Sequence, residues 1–248
     1  MFVTLVTGAS SGIGRSLARR LAKQGDFIVA LARRMDLLQS LVAEIQAAGG
    51  RALALQCDVT DRDQVLRACA EAVRSAGPID RLVANAGGGE RMKVNDFNAG
   101  GVAQMLAVNV TGTANCIEAV LPSMLARGHG HVVIMGSLAA WRGIPGAAGY
   151  SAAKAALGTL AEGLRVDLRP RGIDVTLLLP GFVATRERKR RRPFEVPLEA
   201  ATERMTTAIL ARRRVYAFPF PLVVTATLLR WMPDWLYDRT AQRFLGQR

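Results

Sequence analysis

Tyr150 and Lys154 stand four residues apart in a stretch of helical period, so their side chains share one face. A phenol with its ordinary pKa of about 10 is a poor acid–base group near neutrality. A neighbouring ammonium, aided by the positive charge of an oxidised nicotinamide, favours the phenolate and moves that pKa toward operating pH. Ser137 sits just past a strand-like run and brings a hydroxyl that can hold a carbonyl or alcohol oxygen in line with the phenol. A tyrosine and a lysine at this spacing are ordinarily a surface contact; the trio points to proton exchange with a substrate oxygen. Serine hydrolase chemistry is not supported, because Ser137 lies in no nucleophile-elbow pattern and neither His129 nor His131 suggests a base partner.

A second constellation precedes it. Thr7-Gly8-Ala9-Ser10-Ser11-Gly12-Ile13-Gly14 follows the first strand-like run and opens the first helical one. Glycines there allow a tight turn and a close backbone approach to a pyrophosphate, which the helix N-terminus stabilises. At the end of the second strand-like run comes Ala32-Arg33-Arg34. An acidic residue in that place would accept the ribose hydroxyls of NAD, whereas arginine suits the additional phosphate of NADP. NADP(H) is therefore expected over NAD(H), with Arg33 a better candidate than Arg34. Asp36 is explained by the dipole of the following helix.

The elements that must position these groups alternate. Phe2–Val6, Phe27–Ala32, Ala52–Gln56, Arg81–Ala84, His131–Met135 and Asp174–Leu179 read as strands. Ile13–Gln24, Leu37–Ala48, Asp61–Ser75, Gly101–Arg127 and Tyr150–Arg169 read as helices, with glycines at their ends. Such alternation predicts an α/β fold: one doubly wound parallel sheet, Rossmann-like, with helices on both faces and ligands beyond the carboxyl ends of the strands. No linker divides the chain before Leu179, so residues 1–248 are expected to form a single domain. Residues 186–248 would make a substrate loop and a helical, apolar C-terminal extension within it. Leu198–Arg213 reads as a helix and Val215–Phe218 as one more strand.

The 248 residues carry a formal net charge of +13, which favours anionic partners without speaking to the fold. No nucleic-acid-binding module or interleaved aromatic pattern accompanies that charge, so nucleic acid is not the expected partner. Cys57, Cys69 and Cys116 are odd in number and widely spaced; a reducing compartment, no disulfides and no metal site are expected. His129 and His131 flank a turn and read as ordinary loop residues. No signal-peptide pattern is seen at Met1, and Val215–Leu229 is interrupted by Pro219 and Pro221 and falls short of the roughly 20 residues of a spanning helix. A cytoplasmic enzyme is expected.

Taken together, the chain resembles the classical short-chain dehydrogenases/reductases from residue 2 to about 185. The resemblance rests on Thr7–Gly14, Cys57-Asp58-Val59, Asn85-Ala86-Gly87, Asn109, Ser137, Tyr150-Ser-Ala-Ala-Lys154, and Pro180-Gly181 with Thr185, all in order. It implies a catalytic set of Asn109, Ser137, Tyr150 and Lys154. Tyr150 would exchange the proton, Ser137 position the oxygen, and Lys154 hold the nicotinamide ribose and lower the phenol pKa. Asn109 would anchor a water in a proton relay, interrupting its helix to do so. The resemblance further implies that Asp58 and Val59 meet adenine, that Asn85 braces the adenosine side of the sheet, and that Val183 and Thr185 meet the carboxamide and phosphates. Gly8, Ser10, Ser11, Gly12, Ile13, Gly14, Ala86, Gly87, Pro180 and Gly181 would line the same cofactor site.

The ending departs from many family members. Val215-Tyr-Ala-Phe-Pro-Phe-Pro221, Leu222–Trp231 and Pro233-Asp-Trp-Leu-Tyr237 replace a short strand and Gly-Gly turn. This tail would line the substrate entrance, pack against a second subunit, or dip into a lipid surface as a peripheral membrane contact. Buried tryptophans favour packing, and an exposed apolar patch favours a partner or membrane. Arg186-Glu-Arg-Lys-Arg-Arg-Arg192 reads as a solvated face or as a trap for an anionic substrate portion, carrier or lipid. The expectation is an NADP(H)-dependent carbonyl reductase, a dimer or tetramer, acting on a small to medium apolar ketone, aldehyde or alcohol. A non-catalytic NADP(H)-binding sensor or scaffold and a membrane- or carrier-docked reductase are the competing readings.

Overall fold

Val3–Thr7 is apolar or hydroxylic at every position, is buried along its whole length, and forms β1. The computed structural model describes residues 2–89, 92, 94–185 and 192–244. Six further strands join β1: β2 (Phe27–Ala32), β3 (Arg51–Gln56), β4 (Arg81–Ala84), β5 (Gly130–Met135), β6 (Ile173–Pro180) and, numbered by chain order, β9 (Val215–Phe218). They form one sheet in the order β3-β2-β1-β4-β5-β6-β9, and every pairing is parallel. β7 (Val183–Ala184) and β8 (Val196–Pro197) pair separately, an element the sequence pattern did not announce.

Parallel neighbours require crossovers, and helices supply them on both faces. α1 (Gly12–Lys23), α2 (Met35–Ala47) and α7 (Leu198–Leu210) cover one face. α3 (Arg62–Ala76), α5 (Gly112–Arg127) and α6 (Ala148–Leu168) cover the other. The two-residue period of each strand divides the core accordingly. Val3 and Leu5 of β1 face the second group, while Val6 faces the first. The architecture is the single-domain, Rossmann-like doubly wound sheet expected. Chain order reverses between β1 and β4, so a crevice opens beyond the carboxyl ends of those two strands.

The helical stretch read over 101–127 is interrupted around Asn109, as the resemblance implied. α4 (Ala99–Leu106) leads into a wider π turn at Ala107–Thr111 before α5 begins. The side-chain oxygen of Asn98 caps α4 by accepting from the Gly101 amide at 2.7 Å. α7 ends at Leu210 and not at Arg213.

At the amino edge of the sheet, a buried polar row crosses four strands. Arg81 donates to the Asp26 carboxylate at 2.6 Å, and the Thr4 hydroxyl donates to the same oxygen at 2.6 Å. Arg81 also reaches His131 Nδ1 at 3.3 Å, and His131 Nε2 meets the Thr176 hydroxyl at 2.8 Å. His131 is thus fully buried in the strand read from 131 to 135, and the competing reading of it as a loop residue is not met; burial, then Arg81 and Arg212, push its pKa down to about 3. His129, by contrast, is exposed beside that strand.

The tail forms α8 (Phe220–Trp231) and α9 (Asp234–Phe244). Among the described residues no helix is long and apolar enough to cross a membrane. Residues 186–191 of the basic segment lie outside the described residues; the guanidinium of Arg192 sits 4.7 Å above the Phe182 ring.

Candidate active site

The glycine-rich turn after β1 is packed too tightly for side chains. A Cβ on Gly14 would strike the Gly8 carbonyl and stand 2.5 Å from Asn85 Nδ2, and one on Gly8 would stand 2.9 Å from Ala86 Cα. Gly8 also has φ +66°, which glycine adopts without strain. Asn85 explains the crowding: its amide donates to the Thr7 carbonyl at 2.9 Å. The Thr7 hydroxyl in turn accepts from the main-chain amides of Asn85 at 3.0 Å and Ala86 at 2.8 Å. The carboxyl ends of β1 and β4 are thereby laced together beside Gly87.

α1 begins at Gly12 without a side-chain cap, so its first amides face the crevice unclaimed by Ser11. The Ser10 and Ser11 hydroxyls accept from Arg34 instead, at 3.0 and 2.9 Å. Arg33 extends outward, with its side chain 74% exposed and 3.9 Å from the Asp58 carboxylate. Of the two arginines, Arg34 is the one bonded to the turn, while Arg33 approaches Asp58. Asp58 accepts from the Thr60 amide at 3.0 Å and its hydroxyl at 2.8 Å. Val59 is buried against Gly112, and Ile13 is half-buried on the α1 side of the core. These features fit a dinucleotide: a turn that only glycine can make, an open helix N-terminus, and a guanidinium beside it.

The four groups expected to do chemistry come from three places, the end of β5, α6 and the π turn, and converge. Ser137, just past β5, lies close enough to the Tyr150 phenol to lower its pKa in part, accepts from the Ala139 amide at 3.1 Å, and lies 3.5 Å from the Pro180 carbonyl. Lys154, one helical turn beyond Tyr150 on α6, holds its ammonium 5.7 Å from the tyrosine ring centre and donates to the Met135 carbonyl at 2.8 Å. Asn109, fully buried in the π turn, donates to the Gly88 carbonyl at 2.8 Å and the Met105 carbonyl at 2.9 Å. A Cβ on Gly87 would stand 2.5 Å from Asn109 Oδ1 and 3.5 Å from Lys154 Nζ, so this glycine is the close approach joining those two groups.

The electrostatics differ from expectation. Burial raises the Tyr150 pKa, with the Ser137 hydroxyl lowering it in part. Lys154 is itself buried, which brings its pKa down to about 8. The three thiols are buried, and burial pushes Cys57 up to about 11, Cys69 up to about 12 and Cys116 higher still, which leaves them poor nucleophiles.

Past the strands, Val183 lies in β7, and the Thr185 methyl would be 3.5 Å from a Cβ on Gly12. Gly181 donates to the Phe218 carbonyl at 2.7 Å, and its Cα faces Leu222 of α8. Sequence reasoning missed Gly89, whose Cα lies against the Tyr150 ring; the run of three glycines at 87–89 was its only signal. It also missed the contacts of the tail. Leu222, Val223 and Ala226 of α8 pack on the core, whereas Trp231 and Trp235 are 78% and 70% exposed. The inner face of the tail therefore packs within the chain, and Phe220, Val224, Leu228 and Trp231 make an exposed apolar stripe on the outer face.

Comparison with known proteins agrees with this geometry. A family model described as short chain dehydrogenase matches residues 2–195. An uncharacterized oxidoreductase of Myxococcus xanthus is 41% identical over 96% of both chains. A 3-oxoacyl-[acyl-carrier-protein] reductase of Synechocystis is 38% identical over 74% of each. An alcohol dehydrogenase from the archaeon Thermococcus sibiricus, solved in complex with 5-hydroxy-NADP, superposes with a TM-score of 0.80. It is 25% identical, and the match covers 88% of this chain and 96% of that one.

Proposed function

This chain belongs to the short-chain dehydrogenase family and is an oxidoreductase acting on CH–OH groups, and from that premise we propose that it is an NADP(H)-dependent carbonyl reductase with Tyr150 as its acid–base group. The family binds NAD(P), and hydride donation or acceptance is the chemistry a bound nicotinamide supplies. The observation that carries the reading is the buried Lys154 ammonium 5.7 Å from the centre of the Tyr150 ring, with Ser137 beside the phenol.

Tyr150 gives its proton to the substrate oxygen in reduction and takes it back in oxidation. Its raised pKa keeps the phenol protonated, which suits the reductive direction. Ser137 holds the substrate oxygen. Lys154 would hold the nicotinamide ribose, and Asn109, whose amide bonds the Gly88 and Met105 carbonyls, would anchor a relay water. Asp58 and Val59 border the adenine, and Asn85 braces the strand ends beneath it. Val183 and Thr185 meet the carboxamide and phosphates.

NADP is favoured over NAD because Arg34 donates to the glycine-rich turn, Arg33 stands nearby, and no acidic side chain ends β2. The Thermococcus enzyme bound to an NADP analogue supports the same choice. The substrate is a small to medium, mostly apolar ketone or aldehyde, since α8 presents apolar side chains beside Gly181. The exposed stripe of Phe220, Val224, Leu228 and Trp231 supports a homo-oligomer.

The test is NADPH consumption against a panel of ketones. Tyr150→Phe lowers kcat by about 10²–10⁴-fold while NADPH fluorescence titration gives an unchanged Kd. Undiminished turnover by that variant overturns the acid–base assignment. A wild-type chain that binds NADPH and reduces nothing favours a sensor.

A further inference from the structure

The segment from Leu138 to Gly149 joins the Ser137 hydroxyl to the Tyr150 phenol, and after a single turn at Leu138–Ala140 it has no strand neighbour to hold it. Its composition resists order, with Gly143, Pro145 and Gly146 in succession around Ile144. From within, it is tied by the Ile144 amide to the Ser151 hydroxyl at 3.3 Å and by the Gly146 carbonyl to the Met92 amide at 2.9 Å. Its outer side is held by the C-terminal tail.

Arg142 makes three contacts there. Its guanidinium donates to the Asp234 carboxylate at 2.7 Å, approaches the Arg230 carbonyl at the end of α8 at 3.4 Å, and stacks 4.3 Å from the centre of the Tyr237 ring. The next residue of the segment is gripped as well, because the Tyr237 hydroxyl donates to the Gly143 carbonyl. Two consecutive residues of the loop are thus fastened to α8 and α9.

We propose that Arg142 and Tyr237 form a clasp that fixes the α8–α9 tail as the outer wall of the substrate crevice, and so determines how bulky a carbonyl substrate is accepted. The proposal rests on the carbonyl-reductase reading above and assigns the wall of its substrate site. These are positioning residues: they act through the loop and through α8, without touching the reacting atoms.

The contacts are not equal. Asp234 is 92% exposed on its side chain, and an ion pair with a partner in water contributes little by itself. Tyr237 is 8% exposed, so the cation–π stack and the phenol hydrogen bond are largely shielded and carry the clasp. A second attachment places the wall where substrate must pass. Leu222 of α8 lies against Gly181, and Gly181 follows the Pro180 carbonyl that faces Ser137. The tail therefore meets the chain beside the substrate-holding serine from two sides, through Gly181 and through Arg142-Gly143. A ketone whose oxygen rests on Ser137 and Tyr150 thus has the tail beside it, and its larger substituent is the part these two attachments would meet. Held in place, the wall packs against long substituents; loosened, it no longer holds them.

The experiment compares wild type, Tyr237→Phe, Arg142→Lys and Arg142→Ala on a series of methyl ketones from short to long, with NADPH Kd measured alongside. Arg142→Ala raises KM for the long ketones by about 10-fold relative to the short ones. Its kcat on the shortest ketone and its NADPH Kd stay within about 2-fold. Tyr237→Phe, which keeps the stack and loses one hydrogen bond, falls between, and Arg142→Lys recovers part of the loss. An equal change for short and long ketones in every variant, or no change in any, overturns the clasp. Amide hydrogen exchange separates this from failure of the reductase reading itself. Even if the wild type reduces no ketone, Arg142→Ala and Tyr237→Phe speed exchange across residues 138–147, and unchanged protection there sinks the proposal.

Discussion

The Lys154 ammonium stands 5.7 Å from the centre of the Tyr150 ring and donates to the main-chain carbonyl of Met135. It is a cation with 4% exposure, held by a neutral acceptor and not by a carboxylate. Its fall from the ordinary 10.5 to about 8 is the mark of a charge held in an unfavourable place. Active sites often store such costs, because the same burial makes a group responsive to what binds there.

That cost has a sign that can be measured. The unfolded chain binds the Lys154 proton up to the ordinary 10.5, whereas the folded chain releases it near 8. Between those values unfolding takes up a proton, so this residue's contribution to stability improves as pH rises through the window and is at its worst below it. Lys154→Met should therefore unfold at a higher temperature near pH 7, by the equivalent of about 1–3 kcal/mol, with the gain shrinking toward pH 10.5 and turnover lost. Circular dichroism melts across that range would read it. A variant no more stable than wild type near neutrality removes the idea that the ammonium is a burden.

Arg34 should matter more than its neighbour for choosing the cofactor, since it alone reaches Ser10 and Ser11. Charge-assisted hydrogen bonds to a phosphate contribute about 1.5–3 kcal/mol, so Arg34→Ala should weaken NADPH by about 10–100-fold. NADH, which lacks that phosphate, should change by less than about 3-fold. Arg33→Ala should give a smaller loss with the same preference. Fluorescence titrations with both cofactors decide; equal weakening of NADPH and NADH would mean that the arginine only shapes the turn.

The buried Asp26–Arg81 pair should behave asymmetrically. Asp26→Asn leaves the Arg81 cation without its carboxylate at the edge of the core and should lower the unfolding free energy by about 3–5 kcal/mol. Replacing both, as Asp26→Leu with Arg81→Met, should recover most of that loss, because two apolar side chains need no partners. Urea unfolding of the three proteins tests it, and a double variant as weak as the single would show that Thr4 and His131 also depend on the charges.

Much of this was legible in the sequence because buried parallel strands are short apolar runs and their crossover helices are bounded by glycine. The residues brought together around Tyr150 were legible for a related reason: Lys154 follows one turn later on the same helix, and Ser137 ends the strand before it. Other features depended on partners far along the chain. His131 stands at the start of a strand just after a glycine-rich turn, and only the neighbours across β4 and β6 decide that it is core. Arg81 reads as a charge in a strand until Asp26, on the far side of β1, is placed beside it. Arg142 and Tyr237 lie in segments with no shared local pattern. The direction of the Tyr150 shift was equally hidden, since adjacency to a lysine is written in the sequence and the depth of both side chains is not.

The reversal of strand order at β1 also governs how the molecule is made. β2 and β3 add to one edge of β1, while β4, which must cover the other edge, is encoded only after α3. A ribosome working at roughly 5–20 residues per second therefore leaves the growing polypeptide for some seconds with a half-built sheet whose innermost edge is bare. Chaperone capture in that interval, and aggregation when synthesis outruns it, should depend on how quickly residues 81–84 leave the exit tunnel.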